Sequence, residues 1–391
     1  MRILFLTFYF EPDLSAGSFR NTPLFKALLE KLPSDYIIDV ITTVPNRYSS
    51  FKVDSDAYEN YSSNSHIHRI KIPRHTNGLL GQINSFKTFY FHANKIAKGK
   101  KYDLVYASSS RLFTAFLGAR IAQKNNAKLY LDIRDIFRES IVEIFSNGLT
   151  KRGLDLLLRP VESYTFNRAA HINLVSKGFA SYFSKYKAQL SFFTNGIDEE
   201  FLHNLEKNTE SPTSYPKIIV YAGNMGEGQG LHKIVPDMAE KLGSDYKFKI
   251  IGDGGKRQEL QDQITQREID NVIILPPVQR AELYDIYTEA DYLFLHLNDY
   301  NAFERVLPSK LFEYATFPVP IIAGVAGYAE EFVKSELSNY ILFAPNNVDD
   351  FMQKIKEYDY HKEMRTSFVN KYRRHHINLK MADSIKSYLN E

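Results

Sequence analysis

At 391 residues the chain is longer than one growing core supports, so two domains of roughly 150 to 200 residues each are expected. It has no cysteine, which excludes disulfides, a thiol nucleophile and cysteine-ligated metal and fits a reducing cytoplasm. The net charge of +3 hides an asymmetry: residues 1–197 carry 27 Lys+Arg against 15 Asp+Glu, a balance of +12, and residues 198–391 carry 22 against 31, a balance of −9. Acidic lipids, a lipid diphosphate or a nucleic acid would all be drawn to the first half.

The start, Met1-Arg-Ile-Leu-Phe-Leu-Thr-Phe-Tyr-Phe, is a short apolar run that stops at Glu11-Pro12 and reads as a first buried strand, not a signal peptide. No stretch approaches the ~18 to 20 uninterrupted apolar residues of a membrane span, so a soluble or peripheral protein is expected. Short β-branched-rich runs then alternate with helical patterns, the mark of βαβ units. The runs are 2–8, 36–42, 67–72, 103–107, 128–133 and 171–175, then 217–222, 247–251, 271–275, 291–297, 319–323 and 340–343. Each set of six predicts one doubly wound sheet. Residues 203–216 are polar, hold two prolines and lack apolar periodicity, and read as a linker. That gives an N-terminal domain over 1–202 and a C-terminal domain over 217–363, with a helical tail from 364 to 391. Fixed-period repeats and low-complexity tracts are absent from the sequence.

In the first half, strand 2–8 runs into Ala16-Gly17-Ser18 and Arg20 at the start of a helical pattern, where an anion or hydroxyls can meet backbone amides. A plain strand-to-helix turn uses the same residues. Leu79, Ile83, Phe86, Tyr90, Ala93 and Ala97 recur at helical spacing, and Lys87, Phe91, Lys95 and Lys98 fall on the adjoining sector. Such a helix can pack in the domain with a solvated flank or seat on a membrane surface. Asp132-Ile-Arg134-Asp135 sets charges at the end of a buried strand, either as an active-site edge or as an internal Arg–Asp pair. Asp54-Ser-Asp56 matches the Asp-x-Asp of metal-dependent transferases but sits in a polar stretch and reads as chance, and the histidines show no ligand spacing; no metal is expected.

In the second half, Gly223-Asn224-Met-Gly226-Glu-Gly228-Gln-Gly230 and Gly252-Asp253-Gly254-Gly255-Lys256-Arg257 are glycine turns that follow consecutive strands, where backbone can approach a diphosphate closely. Arg305-Val-Leu-Pro308-Ser309-Lys310-Leu311-Phe-Glu313 places Lys310 and Glu313 on one helical face. There an ammonium can meet phosphate while a carboxylate accepts from ribose hydroxyls; an ordinary surface ion pair needs the same spacing.

Taken in order, the Gly17 loop, Asp132-Ile-Arg-Asp135, Asn195-Gly-Ile-Asp198, Gly223-Asn-Met-Gly226, Gln229-Gly-Leu, Gly252-Asp-Gly254, Ala290-Asp291 and Pro308-Ser-Lys-Leu-Phe-Glu313-Tyr span nearly the whole chain. The pattern resembles the retaining glycosyltransferases of family four, especially bacterial O-antigen and capsule transferases of amino sugars such as fucosamine. The resemblance implies an α/β protein of GT-B fold, with two Rossmann-like doubly wound parallel-sheet domains facing a central cleft and the tail crossing back onto the first domain. It implies that Glu313 binds the donor ribose, that Lys310 and the Gly223 to Gly226 amides bind the diphosphate, and that the residues around Val278 bind the base. Gly17 and Asp135 would flank the transferring sugar, with Asp135, Lys310 and Glu313 as catalytic groups. Ala16, Ser18, Arg20, Asp132, Arg134 and Asn195 complete the acceptor side.

The implied donor is a nucleotide sugar, a UDP-linked N-acetylated hexose or deoxyhexose, and the implied acceptor a polyprenyl-diphosphate-linked saccharide. No cofactor, metal or nucleic acid is implied, and the place of work is the cytoplasm or the cytoplasmic face of the inner membrane. Two features depart from the family pattern. Arg305 stands where the first of two glutamates is usual, with Glu304 one place off; Asn224 and Gln229 stand where many relatives carry arginine and lysine. Diphosphate neutralisation then falls on Lys310, with Lys256, Arg257 or Arg305 in support. A UDP-sugar 2-epimerase of the same architecture and a non-catalytic nucleotide- or saccharide-binding protein are the alternatives; the acid and histidine set an epimerase needs for proton transfer is not recognisable.

Overall fold

The computed structural model describes residues 1–46, 54–73, 79–109, 112–144, 148–202 and 215–389. All twelve expected strands form, and they build two sheets. The first holds β1 (Arg2–Leu6), β2 (Ile37–Thr43), β3 (Tyr58–Ser62), β4 (Ser65–Ile70), β5 (Leu104–Ser109), β6 (Lys128–Ile133), β7 (His171–Leu174) and β8 (Gln189–Ser191) in the order β3-β4-β2-β1-β5-β6-β7-β8. Every pairing is parallel except β3 with β4. β3 and β8 were not expected. Both are short, polar edge strands, and an edge strand bonded on one side needs no apolar run to hold it.

The second sheet holds β9 (Lys217–Asn224), β10 (Tyr246–Asp253), β11 (Val272–Leu275), β12 (Tyr292–His296), β13 (Ile321–Gly324) and β14 (Tyr340–Phe343) in the order β11-β10-β9-β12-β13-β14, all parallel. Its chain reverses direction of travel across the sheet between β9 and β12, the place where open parallel sheets leave a crevice at their carboxyl edge. In the first sheet the equivalent place lies between β1 and β5. The central strands are buried on both faces, which is why they read as continuous apolar runs without alternation.

The chain divides into one compact unit of Met1–Asn195 with His375–Glu391 and a second of Gly196–Arg374. The expected boundaries shift accordingly. Residues 196–202 belong to the second unit: Ile197 bridges Arg373, its N–H donates to Tyr372 O at 2.8 Å, and Phe201 packs on Tyr287 and Phe317. Of the tail expected over 364–391, residues 364–374 also stay with the second unit. Arg365 donates to the carbonyls of Phe317, Val319, Ser338 and Asn339, and Phe368 packs on Phe312 and Phe332. Only the part from His375 returns, where Met381, Ala382 and Ile385 share a core with Leu24, Phe25 and Leu28 of helix Ala16–Lys31. The linker read over 203–216 lies outside the described residues except for its last two.

Helix Leu79–Ala97 forms as expected, but its inward face is rotated. Ser85, Phe89, Ala93 and Ala97 are buried while Ile83 is exposed. The rotation leaves Lys87, Phe91, Lys95 and Lys98 together on the outside.

Candidate functional site

In the second unit, the expected glycine bend and the expected lysine meet. Gly223 ends β9 with φ of +154°, and a Cβ built there would lie 2.3 Å from Lys310 Nζ. The Lys310 ammonium therefore rests directly against the backbone at the sheet's reversal point, 5.6 Å from the centre of the Tyr221 ring. It forms no hydrogen bond and no ion pair among the described residues. Burial pushes its pKa down, Arg280 adds to that, and Glu313 partly offsets it. An ammonium so placed is a charge waiting for an anion.

Lys310 and Glu313 share one face of helix Lys310–Tyr314 as their spacing predicts, while Leu311 and Phe312 are fully buried. Leu311 is thus part of the core and offers a ligand no side-chain contact. The surface-pair alternative fails, because Glu313 faces Arg280, with Nη2 3.6 Å from Oε1, and makes no ion pair with Lys310. Pro308 and Ser309, at most half-exposed, accept at their carbonyls from the N–H groups of Leu311 and Phe312 and start the helix.

The glycine turns serve the backbone more than a ligand. A Cβ on Gly252 would lie 1.9 Å from Gly223 O, and one on Gly254 2.5 Å from Met225 O, so these glycines let the ends of β9 and β10 press together. The amides are also largely spoken for. Met225 N–H donates to Asp253 O (2.9 Å), Gly226 N–H to Gln229 Oε1 (3.3 Å) and Gly254 N–H to Asp253 Oδ1 (2.8 Å). The Asn224 side chain donates to Gln229 Oε1 at 2.6 Å, so the two amides standing in place of cations hold each other. The expectation that the Gly223 to Gly226 amides cradle a diphosphate is corrected for Met225 and Gly226, whose N–H groups already have acceptors within the turns.

Of the supporting cations, Lys256 is committed, to Glu259 at 2.6 Å and Glu227 at 3.3 Å. Burial alone would raise the Glu227 carboxyl, but hydrogen bonds from Tyr300 and Lys233 bring its pKa down to about 2. Arg257 begins helix Arg257–Gln266, and its side chain makes no ion pair or hydrogen bond among the described residues. Arg305 is half-buried at the end of the turn Asn301–Arg305. Glu304 is exposed, and its carbonyl oxygen packs closely on Gly327, 2.2 Å from a Cβ built there. Val278 is half-buried in the connection after β11, two residues before Arg280.

The first unit brings a smaller set together. Ser15 caps helix Ala16–Lys31 by accepting from Ser18 N–H. Ala16 is exposed, and Gly17 is closely covered, its built Cβ 2.9 Å from Arg134 Nη1 and 3.0 Å from Tyr9 Cβ. Arg134 therefore lies over the helix start. Beside it, burial pushes the Asp135 pKa up to about 6, against a hydrogen bond from Ser140 at 2.8 Å. Asn195 is buried at the end of the unit's first segment.

Arg20 and Asp132 are a correction. They form a bidentate pair, Nε to Oδ2 and Nη2 to Oδ1 both at 2.7 Å, with both side chains sealed from solvent. Asn173, Tyr106 and Ser108 also donate to Asp132, and Arg20 donates to the carbonyls of Phe193 and Thr194. Every strong bond is internal, so neither residue can touch an acceptor; the internal Arg–Asp pair raised for Asp132 is what the fold contains. Asp54 and Asp56 precede the edge strand β3, and no cluster of three or more metal-ligating side chains occurs among the described residues.

Residues 204–375 match the model of the family described as Glycosyl transferases group 1. The second unit is a glycosyl transferase group 1 domain. The chain is 24% identical over 244 residues to the putative colanic acid biosynthesis glycosyl transferase WcaI of Escherichia coli, a match that spans 59% of each protein. Among solved structures, sucrose-phosphate synthase of Thermosynechococcus elongatus has a TM-score of 0.69 at 12% identity, covering 99% of this chain and 96% of that one. Anabaena Alr3699/HepE in complex with UDP has a TM-score of 0.65 at 16% identity, covering 99% and 100%. These likenesses give the fold class, GT-B with two Rossmann-like parallel-sheet units. Lys310, Glu313 and Gly223 fall inside the group 1 domain. Sequence reasoning missed Arg280, whose only local signal is one arginine in Val278-Gln-Arg280, because what matters is which acids the fold brings to it.

Proposed function

We propose that the chain is a retaining glycosyltransferase that moves a sugar from a UDP-linked donor, an N-acetylated hexose or deoxyhexose, to a lipid-linked saccharide in surface polysaccharide assembly of the O-antigen or capsule kind. The observation that carries it is the unpaired Lys310 ammonium resting on Gly223, with the sparsely bonded Glu313 one turn along. Lys310 takes the charge of the diphosphate and Glu313 accepts from ribose hydroxyls. In the transfer, the bond from the anomeric carbon to the diphosphate breaks, the acceptor oxygen bonds that carbon, and the acceptor's proton leaves with the nucleoside diphosphate. Lys310 and Arg257 supply the charge that a metal would otherwise bring, and stabilising that departing charge is the main catalytic contribution. Alr3699/HepE is a complex with UDP, and WcaI is named for colanic acid biosynthesis, which supports the donor and the polysaccharide setting. Asp135, whose pKa burial pushes up to about 6, and Gly17 are assigned to the transferring sugar, and Arg134, which lies over Gly17, to the acceptor side.

We further place the protein on the cytoplasmic face of the inner membrane, as a peripheral partner of acidic lipid. No helix among the described residues is long and apolar enough to cross a bilayer. Support comes from the +12 balance of residues 1–197 and the outward stripe Lys87, Phe91, Lys95 and Lys98.

Calorimetry with UDP tests the donor site. Lys310→Ala and Glu313→Ala are each expected to weaken binding by roughly tenfold or more, the loss of a charge-assisted contact. Unchanged affinity in both variants would overturn the assignment. Mass spectrometry of products with and without a lipid-linked acceptor separates transfer from epimerisation.

A further inference from the structure

The charged neighbour of Glu313 lies outside its own helix. Among the described residues the Glu313 carboxylate accepts no hydrogen bond and has one ion-pair partner, Arg280, with Nη2 at 3.6 Å. Arg280, by contrast, is firmly anchored. Its Nη2 pairs with Asp198, its Nε with Glu200 at 2.9 Å, and its guanidinium lies 5.0 Å from the centre of the Phe201 ring. Asp198 is held in turn by Arg374, whose Nη2 donates to Gly196 O at 2.6 Å. The backbone there is tight, since a Cβ on Gly196 would lie 2.7 Å from Arg374 Cα.

A guanidinium is a rigid, planar fork that cannot be discharged, so a fixed Arg280 presents a fixed direction of positive field. Two of its three acidic neighbours bind it closely and set its plane. The third, Glu313, stands just outside hydrogen-bond range: it is attracted and oriented, yet its lone pairs stay unspent. Only 17% of the Glu313 side chain is exposed, so water alone is a poor substitute for a bound hydroxyl.

We infer that Arg280 is the positioning residue for Glu313, aiming its carboxylate at the ribose hydroxyls of the nucleotide so that Lys310 is left for phosphate. Ribose recognition by Glu313, as proposed above, is taken as its basis. Arg280 does not touch the reacting atoms; it acts through Glu313, and the strap residues Asp198 and Arg374 act through Arg280.

The experiment compares UDP with 2′,3′-dideoxy-UDP by calorimetry on the full chain, for wild type, Arg280→Gln, Arg280→Lys, Glu313→Gln and the double variant Arg280→Gln with Glu313→Gln. Arg280→Gln is expected to weaken UDP about tenfold and leave the dideoxy nucleotide unchanged, with part of the loss recovered in Arg280→Lys. In the Glu313→Gln background the Arg280 change is expected to add nothing, because both remove one coupled interaction. Equal losses for the two nucleotides, or additive losses in the double variant, would overturn the role. Should Arg280→Gln not fold by thermal melting, the ratio of the two affinities in Arg280→Lys decides in the same way. If wild type itself binds the two nucleotides equally, the ribose reading of Glu313 fails instead, and the additivity of the double variant still shows whether Arg280 acts through Glu313.

Discussion

Two groupings of arginine and carboxylate, one in each unit, use the same residue types to opposite ends. In the first, Arg20 and Asp132 meet at 2.7 Å in two parallel bonds, and their remaining capacity is filled by Asn173, Tyr106, Ser108 and two backbone carbonyls. In the second, Glu313 stands 3.6 Å from Arg280, and neither it nor Lys310 beside it makes a side-chain hydrogen bond among the described residues. The first is sealed and complete; the second is open and under-bonded. A folded chain tolerates a sparsely satisfied charge where something else completes it, so the count of unspent bonds separates structure from site better than residue type does.

The strongest attempt to break this contrast is Asp132→Ala. Removing one partner strands a buried guanidinium, which costs on the order of 3–5 kcal/mol, read as a fall in the urea or thermal midpoint. UDP affinity of the folded fraction should stay intact. Undiminished stability combined with lost turnover would make Asp132 a functional residue after all. Acid should reach the same pair: burial pushes the Asp132 carboxyl up, but Arg20 more than reverses it, leaving a folded pKa below the ordinary value. Its contribution is therefore present above the unfolded pKa and lost as pH falls through the folded one.

Sealing is not confined to the first unit, and a milder acid titration sharpens the point. His296 donates from Nδ1 to Gln229 O at 2.7 Å and accepts at Nε2 from Asn346 N–H at 3.0 Å, a pairing that fixes the neutral tautomer and ties β12 to two loops. Burial pushes its pKa down to about 4, and His171 in the first unit is pushed down to about 4 by the same cause. The unfolded chain takes up these protons first. Stability is thus full above the ordinary histidine value near ~6.5 and declines as pH falls toward ~4, by up to about 3 kcal/mol for the His296 site. A flat denaturation profile over that interval would show that these rings stay protonation-tolerant and the sealing is incomplete.

What the sequence made legible follows the same division. The central strands were readable because burial on both faces forces continuous apolar runs, whereas β3 and β8, polar and on edges, left no such trace. Lys310 and Glu313 were readable because helical spacing alone puts them on one face. Arg280 was not, since its partners Asp198 and Glu200 lie some eighty residues away in sequence and only the fold supplies them. Asp132 was misplaced for a related reason. A charged strand end looks the same in sequence whether the fold opens it to a ligand or closes it over with Arg20.

If the first unit's sheet-edge charges are spent internally, its remaining positive charge must act from the surface, and the smallest expected effect tests this. Helix Gly148–Phe166 exposes Leu149, Leu156 and Leu157 at 79%, 77% and 65%, with Arg152 and Arg159 on the same outer side. It packs with helix Leu112–Asn125, which packs in turn with the helix bearing Phe91, through the ring contacts Phe116–Tyr164 and Phe86–Phe113. One helical layer therefore carries both sets of exposed apolar groups among basic residues. Each lysine or arginine near an acidic bilayer adds about 1 kcal/mol, and a leucine that only dips into the interface adds a fraction of the roughly 1.5–3 kcal/mol of full burial. Leu156→Ser with Leu157→Ser should lower partitioning onto phosphatidylglycerol-containing vesicles by about tenfold, while salt should weaken the wild type as screening shortens the reach of its lysines. Co-sedimentation that ignores salt, acidic lipid and these leucines alike would leave the first unit's charge without a partner, and the contrast between a sealed interior and an adhesive exterior would not stand.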